Sequence, residues 1–159
     1  MLKHIYVIDI IVRDLDAAIA YGRKIFGCNP KATSGVGPDI GEFRMAHFAA
    51  PGGRGGVHSV GFFQLNTDNP QTDSGKAMKQ HLEQHGEGVC LIGFTVEDID
   101  EVERVMIERG LRFKFAEPQA YQMGRGNELE VSPFGVTFWF AQHNDDGYDE
   151  FLALPEITG

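Results

Sequence analysis

The sequence contains only two cysteines, and its basic residues are few compared with its acidic ones. Cys28 and Cys90 lie far apart and fit no metal-binding or redox spacing, so both are expected to serve as small apolar residues in a reducing compartment, without a disulfide. The 14 lysines and arginines face 23 aspartates and glutamates, which gives a formal net charge of −9. An average surface of this charge repels a phosphate backbone, so nucleic acid is not an expected partner.

Long apolar runs are also missing. No window approaches the roughly 20 uninterrupted apolar residues that a membrane span needs. The first residues lack the basic and then apolar design of a signal peptide. We therefore expect a cytoplasmic protein that does not enter a membrane. Its 159 residues, 42% of them hydrophobic, are sufficient for one domain with a substantial core.

One pattern is present twice. Residues 5–12 (IYVIDIIV) are apolar and β-branched except for Asp9, which is typical of a strand covered on both faces. Asp14 follows in the position that caps a helix, and Gly27 in the position that ends one. The sequence therefore predicts a strand followed by an amphipathic helix.

The second copy of this pattern begins with residues 89–96 (VCLIGFTV) and ends at Gly110. It lies 84 residues after the first copy, so that Ile92, Val96, Asp98 and Asp100 correspond to Ile8, Val12, Asp14 and Asp16. A constant offset over this length indicates two related halves.

Shorter apolar stretches follow each helix and are predicted to be strands, clearest at 43–49, 57–65, 113–115 and 136–141. The fold class is therefore α+β, a single domain over 1–159 with βαβββ modules at 1–66 and 86–142. Residues 67–85 link the modules through a helix over 76–85. The acidic tail, 143–159, either folds over the domain as a short helix around Phe151 and Leu152 or frays. The glycine-rich segment 51–56 is predicted to be a hairpin loop.

The passages VIDIIVRDLDAAIAYGRKIFG and HGEGVCLIGFTVEDIDEVERVMIERG resemble the vicinal oxygen chelate superfamily, which includes glyoxalase I, bleomycin-resistance proteins and extradiol dioxygenases. The GEG-strand-VEDID passage is most similar to the methylmalonyl-CoA epimerase branch. The resemblance extends to about residue 142. It implies a cupped mixed sheet formed by the two modules.

The resemblance also implies where metal-dependent members hold a divalent ion, namely at Val7, Gln64, Leu91 and Trp139 of this sequence. Only Gln64 carries a ligand-type side chain there, and GEGVCL lacks both histidines of the epimerase-like sequence. Sites of this kind need about three protein ligands. We therefore expect no metal and no other cofactor.

Side chains two residues apart on a strand face the same side, so the neighbours of these four positions are expected to line the same pocket. The predicted pocket is mostly apolar. Asp9 and Gln64 are its candidate catalytic residues. The predicted substrate-binding residues are Val7, Phe62, Leu91, Gly93, Thr95, Thr137 and Trp139.

Each of these roles has a structural alternative. Asp9, surrounded by isoleucine and valine, is either a general acid or base or an acceptor of bonds from the backbone or Arg44. Gln64 either orients a substrate carbonyl or makes a structural hydrogen bond. Trp139 either stacks on a flat ligand or fills the volume of a lost metal site.

Other polar residues are weaker candidates. His81 and His85 have the spacing of a shared ligand pair but are expected to be solvated, and His47 is expected at the rim. The histidines form no replacement ligand set. Four further residues stand at the expected edge of the cup, with surface charge as their default role: Tyr121, Arg125, Glu128 and Glu130.

Three interpretations of the function follow. The first is a metal-independent enzyme of isomerase, epimerase or lyase type acting on a small hydrophobic or aromatic carbonyl compound. The second is a binding protein, similar to the bleomycin-resistance proteins, that holds a ligand without chemistry. A metal enzyme with displaced ligands is a third reading. In each case the partner is a small molecule, and both a single-chain cup and a homodimer remain open.

Overall fold

The computed structural model describes residues 1–33, 40–50, 56–130 and 135–159. Its elements, in chain order, are β1 (Leu2–Ile11), α1 (Leu15–Phe26), β2 (Lys31–Ala32), a 3₁₀ turn (Ile40–Glu42), β3 (Phe43–Ala49), β4 (Ser59–Leu65), α2 (Asp73–His85), β5 (Gly88–Val96), α3 (Ile99–Glu108), β6 (Gln119–Tyr121), β7 (Gly124–Glu128), β8 (Thr137–His143) and α4 (Gly147–Leu152).

The eight strands form one mixed sheet in the order β2-β3-β4-β1-β5-β8-β7-β6. The first half of the chain supplies the first four strands and the second half the other four. β4 runs parallel to β1, and β8 runs parallel to β5. The α+β class and the cupped mixed sheet are therefore confirmed.

One predicted strand is wrong. Residues 113–115 contribute only an isolated bridge between Phe113 and Leu129. The strands of this region are β6 and β7, in a segment rich in glycine and polar residues that carries little apolar alternation. The predicted hairpin loop at 51–56 lies outside the described residues except for Gly56.

The two halves meet at the antiparallel pair β1·β5, where Ile8 lies directly opposite Ile92. These are the two residues that the offset of 84 makes equivalent. The sequence repeat is thus a pseudo-twofold relation whose axis passes through the centre of the sheet.

The helices that follow β1 and β5 begin and end as their sequences predict. The Asp14 carboxylate accepts from the Ala17 N–H at 3.0 Å, and the Asp98 carboxylate accepts from two N–H groups at the start of α3. Gly27 ends α1 in the left-handed conformation, with φ of 67°. Each helix buries an apolar stripe against the convex side of the sheet.

Helix α2 begins at Asp73, three residues before its predicted start, and ends before Gly86. The Glu42 carboxylate accepts from the Gln71 N–H at 2.6 Å and from the Thr72 hydroxyl at 2.5 Å. These bonds fasten the start of α2 to the chain that enters β3. The helix therefore lies across the concave side of the sheet.

The acidic tail folds over the domain, which is the first of its two predicted alternatives. It forms α4, whose Phe151 is buried, and then crosses to β2. There the Ala32 N–H donates to the Pro155 carbonyl at 2.7 Å, and the Ile157 N–H donates to the Pro30 carbonyl at 2.8 Å. A segment of the second half thus pairs with the edge strand of the first.

The two cysteines are free thiols, Cys28 exposed and Cys90 partly buried. Among the described residues, no helix has the length and apolar character needed to cross a bilayer.

Candidate functional site

A cavity of about 690 Å³ lies between the concave face of the sheet, α2 and the tail. This volume is within the usual range for small-molecule sites, a few hundred to about 1,000 Å³. Its wall is largely apolar and aromatic, and includes Val7, Phe63, Leu91, Phe115, Trp139 and Phe151.

A chain of three polar side chains interrupts this wall on the side of the first module. His47 Nε2 lies 2.8 Å from Asp9 Oδ1, and His47 Nδ1 lies 2.5 Å from Thr33 Oγ1. Asp9 is 3% exposed and His47 8% exposed. All three residues line the cavity. A carboxylate and an imidazole thus meet at an apolar surface, an arrangement that can accept and return a proton.

Strand register explains the contact between Asp9 and His47. Gly61 lies beside Asp9 in the parallel pair β1·β4 and opposite His47 in the antiparallel pair β3·β4. A Cβ atom at Gly61 would overlap both the Asp9 carboxylate and the His47 ring. The glycine therefore leaves open the space in which the two side chains meet across β4.

Neither expected partner of Asp9 is its main one. Arg44 lies on the opposite face of the sheet, where it donates to Asp16 at 3.0 Å. The prediction of His47 as a rim residue is wrong, because this side chain is buried beside Asp9. A glycine inside a strand often marks a close approach between neighbours, and Gly61 is the signal that could have indicated the pair.

The predicted facing of β4 is also wrong. Its register with β1 places Ser59, Gly61 and Phe63 on the cavity side. Phe62 instead packs in the core beneath α1. Gln64 Oε1 accepts from the Leu15 N–H at 2.8 Å, so its amide is used at the start of α1. The predicted positions on β4 are therefore out of register by one residue, and a shift of one residue moves a side chain to the other face of a strand.

The second module repeats the structural use of Gln64. Gln142 Oε1 accepts from the Ile99 N–H at 3.1 Å, at the start of α3. Arg125, one of the residues expected at the edge of the cup, donates to Asp100 as Arg44 does to Asp16. Asp16 and Asp100, which correspond in the sequence repeat, thus each connect a helix to a strand on the outer face of the sheet.

The other predicted substrate-binding residues divide into two groups. Val7, Leu91, Thr137 and Trp139 line the cavity. Gly93 lies between Val7 and Trp139 with no room for a Cβ atom, and the Thr95 hydroxyl bonds to His4 near the end of β5.

The alternation of side chains along β1 does not predict that Tyr6 lines the cavity. The pairing of β1 with β5 shifts register between Ile5 and Val7. This irregularity brings Tyr6 to the cavity together with Val7, and it leaves Ile5 exposed. A bulge of this kind leaves no signal in an apolar β-branched run.

Tyr6 belongs to a second polar chain of the wall. The Tyr6 and Tyr121 hydroxyls are 3.2 Å apart, and the Tyr121 hydroxyl is 2.6 Å from His143 Nε2. Burial raises the pKa of both phenols well above the usual value. Burial, together with His58 and His4, lowers the pKa of His143 to about 3. At neutral pH the chain therefore consists of two protonated phenols and a neutral imidazole.

The second module also carries charge at the cavity edge. Lys114 Nζ lies 3.1 Å from Glu128 Oε1 and contacts the Ser74 hydroxyl. Glu128 and Glu130 line this edge, as expected. His81 and His85 line it from α2 with ring centroids 5.1 Å apart, and His85 remains exposed.

The model of the Glyoxalase/Bleomycin resistance protein/Dioxygenase superfamily matches residues 7–127. The chain belongs to this superfamily. A comparison with curated proteins found no match.

Solved structures with the same fold include methylmalonyl-CoA epimerases. The Mycobacterium tuberculosis enzyme is 19% identical, with a TM-score of 0.68 and 91% of each chain covered. The Streptomyces coelicolor enzyme in complex with 2-nitronate-propionyl-CoA is 23% identical, with a TM-score of 0.63, and 90% of this chain and 99% of that one are covered. These likenesses show a shared fold.

The residues of this superfamily member do not fit a divalent ion at the positions that the resemblance implies. Val7 and Leu91 are hydrocarbon, Trp139 offers only an N–H donor, and the Gln64 amide lies on the other face of β4. Within residues 1–33, 40–50, 56–130 and 135–159, no group of three or more histidine, cysteine, aspartate or glutamate side chains is arranged to hold a metal.

Proposed function

We propose that this protein is an enzyme of isomerase, epimerase or lyase type that transfers a proton on a small hydrophobic or aromatic carbonyl compound. Asp9 acts as the general base and acid, and no metal ion takes part. The observation that carries the proposal is the buried Asp9–His47 pair in the wall of an apolar cavity.

The hydrogen bonds around His47 suggest how the pair works. A neutral His47 that donates from Nε2–H to Asp9 Oδ1 can accept the Thr33 hydroxyl hydrogen at Nδ1. Both imidazole nitrogens are then engaged by the protein. Asp9 Oδ2 is therefore the atom assigned to take the substrate proton, while His47 holds the carboxylate in position.

The relatives support a reaction of this class. Several of the similar solved structures are named as methylmalonyl-CoA epimerases, and they include complexes with methylmalonyl-CoA and with 2-nitronate-propionyl-CoA. Inverting a carbon next to a carbonyl group requires a proton to leave and return. Asp9 can remove the proton and return it to the same face or to a neighbouring atom, and return to the opposite face requires the enolate to turn within the cavity before it is protonated.

The Asp9→Asn variant tests the proposal, with Asp16→Asn on the outer face as its matched control. Carbonyl compounds with an acidic neighbouring C–H, such as phenylpyruvate and short acyl thioesters, are incubated with each protein and analysed for conversion. Asp9→Asn is expected to lose about 10²–10⁴-fold in rate. Thermal stability and ligand-induced quenching of Trp139 fluorescence should be largely kept. Full activity of Asp9→Asn would reject the role of Asp9.

The aromatic wall favours a second candidate, a protein that binds a flat ligand without changing it. Trp139, Tyr121 and Phe115 offer stacking surfaces in one cavity, and the net charge of −9 suits a cationic compound. This candidate predicts tight binding of such a compound, quenching of Trp139 fluorescence and complete recovery of the unchanged ligand after long incubation.

A further inference from the structure

We infer that Tyr121 is the hydrogen-bond donor that holds the carbonyl oxygen of the substrate and stabilises the negative charge that develops there. This inference rests on the proposed function and adds a second catalytic residue to it. Tyr6 and His143 are its positioning residues.

The proposed reaction needs such a donor. When Asp9 removes a proton from the carbon next to a carbonyl group, the electron pair moves to the carbonyl oxygen, and an enolate forms. A divalent ion can stabilise this charge, but Val7, Leu91 and Trp139 stand at the positions expected for its ligands. A hydrogen-bond donor fixed in a wall that excludes water is the alternative that a protein can provide.

Tyr121 has the geometry of this donor. Its hydroxyl is held by two neighbours, His143 Nε2 at 2.6 Å and the Tyr6 hydroxyl at 3.2 Å. Its ring meets the Trp139 ring edge to face, with centroids 5.6 Å apart. Tyr6, Tyr121 and Trp139 all line the cavity. The hydroxyl is therefore fixed in the same wall that is proposed to contact the substrate.

The number of hydrogens decides which tautomer of His143 allows the role. If His143 carries its hydrogen on Nδ1, the two phenolic hydrogens are both used within the chain from Tyr6 through Tyr121 to His143. If the hydrogen is on Nε2, three hydrogens serve two bonds, and one phenolic hydrogen is left for the cavity. The inference therefore assigns the Nε2–H tautomer to His143.

The charges around the chain are consistent with a neutral donor near the base. Burial raises the pKa of Tyr6, with further contributions from Tyr121 and from the Asp9 carboxylate. Tyr6 and Asp9 lie on the same strand, β1, and both line the cavity. The indole N–H of Trp139 acts in the opposite direction on the pKa of both phenols, as a donor to a developing anion does.

A phenolate probe tests this role without turnover. The probe is 4-nitrophenol, whose anion resembles an enolate and whose absorbance reports its ionisation. Binding is measured in the Asp9→Asn variant, because the amide represents the base after it has gained its proton. The bound probe is expected to ionise at a lower pH than in water, and Tyr121→Phe in the same background should reduce phenolate affinity at least tenfold while affinity for the neutral phenol changes little.

Three controls complete the experiment. Tyr21→Phe, at an exposed position of α1, should leave the phenolate preference unchanged. Tyr6→Phe should reduce it less than Tyr121→Phe does. Nitrogen chemical shifts should assign the His143 hydrogen to Nε2. A cavity that does not prefer the phenolate, or a preference that survives Tyr121→Phe in a folded protein, would overturn the inference.

The probe experiment on Tyr121 can succeed or fail independently of the Asp9→Asn test of the proposed function. Loss of phenolate preference in Tyr121→Phe supports the donor even if Asp9→Asn proves fully active on every carbonyl compound, a result that would reject only the base. Conversely, an essential Asp9 with no effect of Tyr121→Phe on the probe would retain the reaction and reject this donor.

Discussion

Asp9 and His47 are bonded at 2.8 Å although they belong to strands that are not neighbours in the sheet. The strand between them contributes Gly61, and the two side chains meet over its backbone. A single residue without a side chain thus determines whether the polar pair of the cavity can form.

The first prediction follows from that relationship. Gly61→Ala places a methyl group where the Asp9 carboxylate and the His47 ring lie, so the pair must separate. We expect the free energy of unfolding to fall by about 1–3 kcal/mol and the proposed activity to be lost. Urea denaturation and conversion assays measure the two effects. Gly56→Ala, where an added Cβ meets nothing within 4 Å, is the control. A fully stable and active Gly61→Ala protein would contradict the account.

The second prediction separates Gln64 from the chemistry. Gln64 and Gln142 each accept from the first N–H of a helix, so replacing either with alanine leaves one partly buried donor without its partner. Each variant should lose about 1–3 kcal/mol of unfolding free energy. Ligand affinity should be unchanged in both. A loss of ligand binding in Gln64→Ala but not in Gln142→Ala would restore Gln64 as a site residue.

The third prediction concerns pH. The folded state holds the pKa of His143 at about 3, mainly through burial, whereas the ordinary value is 6.5. Between these values the unfolded state binds the extra proton, so stability is full above about pH 6.5 and falls as the pH drops towards 3. The slope contributed by this histidine is at most about 1.4 kcal/mol per pH unit.

His143→Gln should flatten this dependence, as measured by urea denaturation between pH 4.5 and 7.5. His4 and His81, whose pKa values are also lowered mainly by burial, contribute in the same direction, so some slope should remain. Tyr21→Phe, at an exposed position of α1, serves as the control. An unchanged slope in His143→Gln would show that this imidazole is not kept neutral by the fold.

The fourth prediction concerns metal ions. Because Val7, Leu91 and Trp139 provide no ligands, extended treatment with a chelator should leave activity and thermal stability unchanged. Adding back divalent cobalt, nickel or magnesium should have no effect. Activity that disappears with the chelator and returns with one of these ions would establish a metal site formed by other residues.

The sequence is most informative about this fold where structure is local. The helix ends are as expected: Asp14 and Asp98 cap the starts of α1 and α3, and Gly27 ends α1. Capping is predictable because it depends on residues within one turn. The offset of 84 predicts the pseudo-twofold relation because equivalent residues face each other across β1 and β5. The Asp16 and Asp100 contacts with Arg44 and Arg125 follow the same repeat, although these pairs appear only when strand register is known.

The candidate site is less predictable because it depends on register between distant strands. A bulge beside Ile5 turns Tyr6 inward, and one residue of misalignment in β4 exchanges Gln64 for Phe63 at the cavity. His47 is separated from Asp9 by 38 residues, and only the sheet brings them together. The sequence does single out Asp9, which lines the cavity, because a carboxylate within an apolar strand is unusual.

The most direct measurement is deuterium exchange from heavy water into carbonyl compounds with an acidic neighbouring C–H, monitored by proton NMR. Exchange reports removal of the proton by the protein even when the product equals the substrate. The account predicts exchange with the wild-type protein and loss of about 10²–10⁴-fold in its rate in Asp9→Asn, with Asp16→Asn unaffected. Binding without any exchange, or equal exchange in Asp9→Asn, would contradict it.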